Sequence, residues 1–361
     1  MSKVRKAILT GGGRATRLRP ITTTINKHLI PLANKPMIFH AIEKVKEVGV
    51  EEIFININPG ETELQKYVGD GGHWGLKIHF FEQDGGPQGI AHAVKCAEKF
   101  IGNEPFVFYL SDNVILGSLK PMFDHYNEFK PDCMLALSEV SDPQRFGVPI
   151  FNNKKELVDI VEKPSNPQNN FAVTGIYIYG PEVFFQAFDK IQKSPRGEYE
   201  ISDIHSNLLK NGFTVQYKEI TGWWKDTGKP DDLIIANRLL LDELPSSDFK
   251  IEADLGKAII SGNVQIGAGT RIGDNVKIIG PAIIGANCVL ENCIINAHTT
   301  IGSGSVIKNA EIGDSIVFGN CFIESKIKIS RSIIGERVTL VKNGQEDGHR
   351  LIVGDNTYME L

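Results

Sequence analysis

The sequence predicts an α/β protein in two parts, a mostly parallel sheet covered by helices and then a β-helix. Three observations carry that expectation. Short apolar strands alternate with helical patterns from Val4 to about Leu244. Glycines and basic residues follow the first strand directly, in ILTGGGRATRLRP. Beyond residue 258 an aliphatic residue followed by glycine recurs at steps of mostly six, as in Ile266-Gly267, Ile272-Gly273, Ile284-Gly285, Ile301-Gly302 and Ile334-Gly335. Near-continuous apolar strands separated by helices belong to parallel sheets buried on both faces. A six-residue step suits one face of a triangular β-helix with the aliphatic side chain inward, and on that rule the tail holds about four coils.

The elements follow in order. Strands are expected at 4–10, 52–57, 77–82 and 105–111, and helices at 36–48, 88–100 and 118–129. In the first helix Met37, Ile38, Ala41, Ile42, Val45 and Val48 repeat at helical spacing up to Gly49, with Pro36 where a helix can start. From 133 strands crowd together at 133–139, 146–151, 157–162 and 171–179, separated by Asp142-Pro143, Asn152-Asn153 and Asn166-Pro167. They are expected to form an inserted strand-rich layer. Helices return at 181–192, 200–211 and 231–243. The expected division is a first domain over 1–244, a linker over 245–258 and the coil domain over 259–361.

Composition narrows the function classes. The 361 residues carry a net charge of −5, with 41% hydrophobic and 23% charged residues, ordinary for a soluble protein. A general nucleic-acid binder would need a basic face, so any anion site must be a local basic cluster. The start, MSKVRKAILTGG, runs straight into a strand, and no apolar run reaches membrane-spanning length, so neither a signal peptide nor a membrane partner is expected. Cys96, Cys133, Cys288, Cys293 and Cys321 form no CxxC pair, and their odd number suits a reducing cytoplasm.

The residues that could carry chemistry sit at strand ends, where ligands gather in such sheets. Glycines after the first strand let backbone N–H groups close on a phosphate, and Arg17 and Lys27 would add full charges there. Three glycines alone serve a tight turn equally well, and the string matches neither GxxxxGK[ST] nor GxGxxG. Asp112 in LSDN and Asp226 in WWKDTG are isolated carboxylates. One such aspartate ordinarily makes a turn or a cap, whereas two converging near phosphates would hold Mg²⁺ through hard oxygen ligands. Gln83, in EQDGGPQGIA, offers a donor and an acceptor to the O and N3–H edge of a pyrimidine, and Gly89 would let the chain approach the base. Lys163 in VEKP, taken alone, reads as a solvated lysine. His73, His79, His92, His125 and His205 lack metal-ligand spacing, and His298 and His349 lie in the coil region. Trp223 and Trp224 flank Asp226 and are expected to wall a sugar pocket.

The string Gly12-Gly13-Arg14-Ala15-Thr16-Arg17-Leu18-Arg19-Pro20, followed by Lys27-x-x-x-Pro31, resembles the signature GGxGTRLxP…KxxxP of the sugar-1-phosphate nucleotidylyltransferases. Ala15 stands where the family usually has Gly, so the loop must take negative φ there or be strained. His28 replaces a common Pro, Ser111 a common Gly and Ile90 a Leu. DPQRFGV, VEKP, VTGIYIY, SPRGEYEISD and WKDTGKPDD extend the resemblance, and with the tail ending RLIVGDNT the chain is similar to the long form of the thymidylyltransferase branch. The resemblance implies a Rossmann-like sheet and a left-handed coil; the six-residue period does not give the hand. It further implies nucleotide binding by Gly12, Gly13, Thr16, Arg17, Gln83 and Gly89, and catalysis by Arg17, Lys27, Asp112 and Asp226, the two aspartates on Mg²⁺. Gly147, Glu162, Lys163, Thr174 and Arg196 would hold the sugar phosphate. The implied reaction joins dTTP and glucose 1-phosphate to give dTDP-glucose and pyrophosphate. The flat aliphatic coils and open end of the tail must be covered, so a homo-oligomer is expected. UTP, GTP or another sugar phosphate stay open as substrates. A catalytically inactive nucleotide-binding subunit stays open as well, although such a chain would carry a broken signature, and here Arg17, Lys27, Asp112, Lys163 and Asp226 are all present.

Overall fold

The computed structural model describes residues 3–13, 15–220, 222–342 and 351–360, so Arg14, His349 and Arg350 of the expectations above lie outside the described residues. The chain forms two compact units, 1–13 with 38–224, and 14–37 with 225–361.

The first unit is built on a nine-stranded sheet. Its strands are β1 (Lys6–Thr10), β2 (Glu52–Ile57), β3 (Lys77–Glu82), β4 (Phe106–Tyr109), β5 (Cys133–Glu139), β6 (Gly147–Phe151), β7 (Leu157–Glu162), β8 (Phe171–Tyr179) and β9 (Val215–Glu219). β3, β2, β1 and β4 run parallel in that order. Ala7, Ile8 and Leu9 of β1, and all four residues of β4, are buried, as strands covered on both faces require. The strands after 133 do not form a separate layer. β8 pairs antiparallel with β4, and β5, β6, β7 and β9 extend the same sheet from it. β8 can do this because its nine residues are long enough to serve β4 along one stretch and to meet both β5 and β6, with a register shift between Val173 and Tyr177. The helix Met37–Glu47 buries Met37, Ile38, Ala41, Ile42 and Val45, the stripe its spacing predicts. The expected helix over 181–192 shortens to Val183–Phe188.

The second unit is a left-handed β-helix together with segment 14–37 and the helix Pro230–Glu243. Three parallel sheets form its faces. Ile260, Ile278, Ile295, Ile312 and Ile329 stack in register on one face. Ile266, Ile284, Ile301, Val317, Ile334 and Val353 stack on the second, and Ile272, Leu290, Ile307, Ile323 and Leu340 on the third. Among the described residues the faces hold five, six and six strands, so there are more coils than the four expected. The aliphatic–glycine rule undercounts because rungs such as Val289–Glu291 and Val306–Lys308 end on Asn292 and Asn309, which supply the left-handed corner instead of glycine.

Where glycine does stand at a corner, the next coil leaves no room for a side chain. A Cβ on Gly285 would lie 2.5 Å from the Ser303 backbone nitrogen, and one on Gly302 2.5 Å from that of Gly319. Gly302→Ala is therefore expected to cost about 1–3 kcal/mol, the usual range for overpacking. Thermal melting checks this, and an unchanged melting curve would refute the account.

Segment 14–37 and the helix Pro230–Glu243 lie along this coil. A hairpin of Pro31–Leu32 with Lys35–Pro36 turns through Ala33 and Asn34, both at positive φ as a type I′ turn requires. Asn34 Nδ2 donates to Ile301 O at 2.8 Å, and the Ala33 N–H donates to Oδ1 of buried Asn237 at 2.8 Å. Successive coils present His298, Asp314 and Arg331 at left-handed corners. These pair with Asp242, Arg238 and Asp231 of the helix.

Candidate active site

The glycine loop leaves β1 under tight control from β2. The Gly11 N–H donates to Asn56 O at 2.9 Å and to Asn56 Oδ1 at 3.2 Å. The Gly13 N–H donates to Asn58 Oδ1 at 2.9 Å, and Asn58 Nδ2 returns a bond to Gly13 O at 3.2 Å. The N–H groups of Gly11 and Gly13 are thus not bare, as the sequence suggested, but held by two asparagines from the end of β2 and the residues after it. Gly12 lies in the same cradle, where a Cβ would come within 3.1 Å of both asparagine side chains.

Asp112 follows β4. The preceding Ser111 ties β4 to β1, its Oγ donating to Thr10 O and its N–H to Thr10 Oγ1 at 2.9 Å. Next to it, Asn113 is 5% exposed and organises this corner. Asn113 Nδ2 donates to Asp112 Oδ1 at 2.8 Å, while Asn113 Oδ1 accepts from Trp224 Nε1 at 2.8 Å and from the Gly175 N–H at 3.3 Å. Trp224 is buried, with its ring edge-on to Phe146. Its indole N–H needs a partner once buried, and Asn113 supplies it. Sequence reasoning read the aspartate and passed over this asparagine.

Three predicted residues come together around one carboxylate. β7 and β6 pair so that Glu162 faces Gly147. Lys163 Nζ lies 2.8 Å from Glu162 Oε1, and Arg196 Nη2 lies 3.9 Å from the same oxygen. The Arg196 fork is held by Glu200, with Nη2 at 2.7 Å and Nε at 3.1 Å. Lys163 takes φ of 46°, a left-handed conformation that is costly for a lysine and that collects at functional sites. Thr174 is fully buried and its hydroxyl donates to Ala136 O at 2.9 Å, so only its backbone is left to meet a ligand.

The loop at 83–92 closes on itself. Gln83 Nε2 donates to Gly89 O at 3.3 Å and to His92 Nδ1 at 2.9 Å. Both amide protons are engaged, so in this conformation Gln83 has no donor left for a base oxygen. Gly89 has φ of 102°, and a Cβ there would fall 2.6 Å from Tyr199 O. The close approach that this glycine permits is therefore to the Tyr199 backbone. Burial and, next, the Lys193 charge lower the His92 pKa, against an opposing pull from Asp84. His92 carried no signal in the sequence beyond its place on the helix Ile90–Cys96.

Arg17, Lys27 and Asp226 belong to the second unit. Arg17 lies on the turn Thr16–Leu18, exposed beside buried Leu18. Ala15 precedes it with φ of 44°, so the strained alternative holds at the position where the family has Gly. The Thr22 hydroxyl donates to Ala15 O at 2.8 Å and fixes that turn. Half-buried Lys27 opens the turn Lys27–Leu29, capped by Asn26 Oδ1 on the His28 N–H at 2.9 Å. The Asp226 carboxylate lies above Gly228, where a Cβ would reach within 3.0 Å of it.

The donor chemistry fits a magnesium ion. Asp112 is oriented by an asparagine, and Asp226 keeps its room because residue 228 is glycine. Among the described residues no cluster of three or more His, Cys, Asp or Glu forms a cage. Magnesium is usually held by one or two carboxylates with water and substrate phosphates, and each unit offers one such carboxylate, Asp112 in the first and Asp226 in the second. Among the described residues no helix is long and apolar enough to cross a membrane.

The nucleotidyl transferase family profile matches residues 6–243. The low-salt glycan biosynthesis nucleotidyltransferase Agl11 of Haloferax volcanii is 34% identical over 99% of this chain and 100% of its own. The glucose-1-phosphate thymidylyltransferase of Streptomyces antibioticus is 34% identical over 99% of both chains. Among solved structures, a Bacillus anthracis protein assigned as a glucose-1-phosphate thymidylyltransferase matches with a TM-score of 0.60 and 37% identity, covering 64% of this chain and 93% of that one. The fold, the glycine loop and these matches together establish that the chain belongs to the nucleotidyl transferase family.

Proposed function

We propose that the protein joins the nucleotidyl group of dTTP to glucose 1-phosphate, giving dTDP-glucose and pyrophosphate. The observation that carries the reading is the gathering of Glu162, Lys163 and Arg196, with Lys163 held in a costly backbone conformation. Two cations poised on one carboxylate suit a phosphate bearing a hydroxyl-rich group: the phosphate takes the charges of Lys163 and Arg196, whose guanidinium Glu200 holds in place, and Glu162 turns to the sugar hydroxyls. Full-length similarity to the Streptomyces thymidylyltransferase supports the choice of dTTP and glucose 1-phosphate.

The chemistry needs no general base. A phosphate monoester has a second pKa of about 6, so the attacking oxygen is already ionised at neutral pH. It bonds to the α-phosphorus while the bond to the β-phosphate oxygen breaks and pyrophosphate leaves. The barrier is the meeting of two polyanions in line. Arg17 and Lys27 neutralise the triphosphate, with Gly12, Gly13 and Thr16 as backbone and hydroxyl contacts. Gln83 and Gly89 meet the base. Lys163 and Arg196 aim the sugar phosphate, assisted by backbone at Gly147 and Thr174. Asp112 and Asp226 would hold Mg²⁺, which when bound supplies charge neutralisation at the phosphates. The reading keeps the division into 1–244 and 259–361, a homo-oligomer and the cytoplasm.

Pyrophosphate release with glucose 1-phosphate and Mg²⁺ tests it, with dTTP, UTP, ATP, CTP and GTP supplied separately. A clear preference for dTTP is expected. Equal or better use of UTP would remove the thymidine assignment, and release with no nucleotide would overturn the reaction.

A further inference from the structure

We propose that His92 governs which bases the protein accepts, by holding the Gln83 amide so that only its oxygen is left to read the base. The inference rests on the reading of Gln83 as the base contact. Gly89 O can only accept, so the amide nitrogen must face it, at 3.3 Å. The second proton of that nitrogen is taken by His92 Nδ1 at 2.9 Å, which fixes the ring as the tautomer protonated on Nε2. Among the described residues nothing donates to Gln83 Oε1. That oxygen is an acceptor and matches the N3–H of thymine or uracil. It opposes cytosine, whose N3 is itself an acceptor, so the pair would leave two lone pairs facing each other.

His92 is firmly seated for this task. It lies on the helix Ile90–Cys96, with its ring stacked on Tyr199 at 6.0 Å and near Phe188 at 6.4 Å. The Gly89 backbone that supplies the other acceptor is clamped by Tyr199, whose N–H donates to Gln88 O at 2.8 Å and whose carbonyl accepts from the Ala91 N–H at 3.3 Å. Remove the imidazole, and one of the two acceptors that distinguish the amide ends is lost. The amide can then turn and present its nitrogen to cytosine. His92 is thus a positioning residue that acts through Gln83.

The test is the ratio of kcat/KM for dTTP to that for dCTP, in the full chain with glucose 1-phosphate and Mg²⁺. His92→Ala is expected to lower that ratio about five- to tenfold, the worth of one hydrogen bond. His92→Asn, whose Oδ1 can accept from Gln83 in place of Nδ1, is expected to keep it near the parent value. His92→Phe fills the space beside Tyr199 and Phe188 without an acceptor, and repeats the test should the alanine variant lose its fold. Gln83→Ala separates the two layers. If it lowers the ratio while His92→Ala and His92→Phe do not, the role of His92 is overturned and Gln83 stands. If Gln83→Ala leaves the ratio intact, the reading of Gln83 itself fails. A fall in His92→Asn equal to that in His92→Ala would overturn the hydrogen-bond account.

Discussion

Arg17→Ala is expected to lower turnover by about 10³, the lower end of what an arginine contributes to phosphoryl-transfer transition states. The melting curve is expected to stay in place. The two expectations separate because Arg17 is exposed and, among the described residues, makes no ion pair. The turn that carries it is held by other groups: buried Leu18, the Leu18 N–H on Ala15 O at 3.0 Å, and the Thr22 hydroxyl on the same oxygen. Removing the guanidinium therefore leaves the local fold its supports and takes away only a charge. Arg17→Lys is expected to recover part of the loss, since it restores the charge but not the planar fork that engages two phosphate oxygens. Steady-state pyrophosphate release with saturating dTTP, beside a thermal melt, decides the matter. Turnover within tenfold of the parent would remove Arg17 from the proposed transition state.

Much of the layout was legible in the sequence because periodicity reports burial. The spans 133–139, 157–162 and 171–179 coincide with β5, β7 and β8, and the six-residue period announced a coil. What was not legible depends on partners distant along the chain. No local pattern says that β8 will dock against β4, so its neighbours read as a separate layer. Asn113 takes hydrogen bonds from residues 62 and 111 positions away, and nothing in LSDN reveals that. Gln83 was read as offering both ends of its amide, because the turn at Gly89 that brings His92 back to it cannot be seen as a period. Ala15 shows the reverse case. The signature required glycine, and the structure confirms the reason, a positive φ that Ala must bear at some cost.

Asn113→Ala is expected to damage stability and turnover through two separable routes. In the parent chain one buried oxygen accepts from both Trp224 Nε1 and the Gly175 N–H. Truncation leaves both donors without that acceptor in a site closed to water, which costs about 2–6 kcal/mol if each is worth about 1–3. The melting temperature is expected to fall by several degrees. The second route runs through Nδ2, which holds Asp112 Oδ1 at 2.8 Å. Groups that orient a metal-binding carboxylate typically matter about 10- to 100-fold in metal affinity or activity. Turnover measured below the melting range is therefore expected to fall by that factor, with recovery as Mg²⁺ is raised. The recovery discriminates, because a molecule merely less stable would not regain activity with metal in that way. A lower melting temperature with unchanged Mg²⁺ dependence would leave Asn113 a structural bridge to Trp224 and remove it from the support of Asp112. An unchanged melting temperature would refute the hydrogen-bond account of the Trp224 corner.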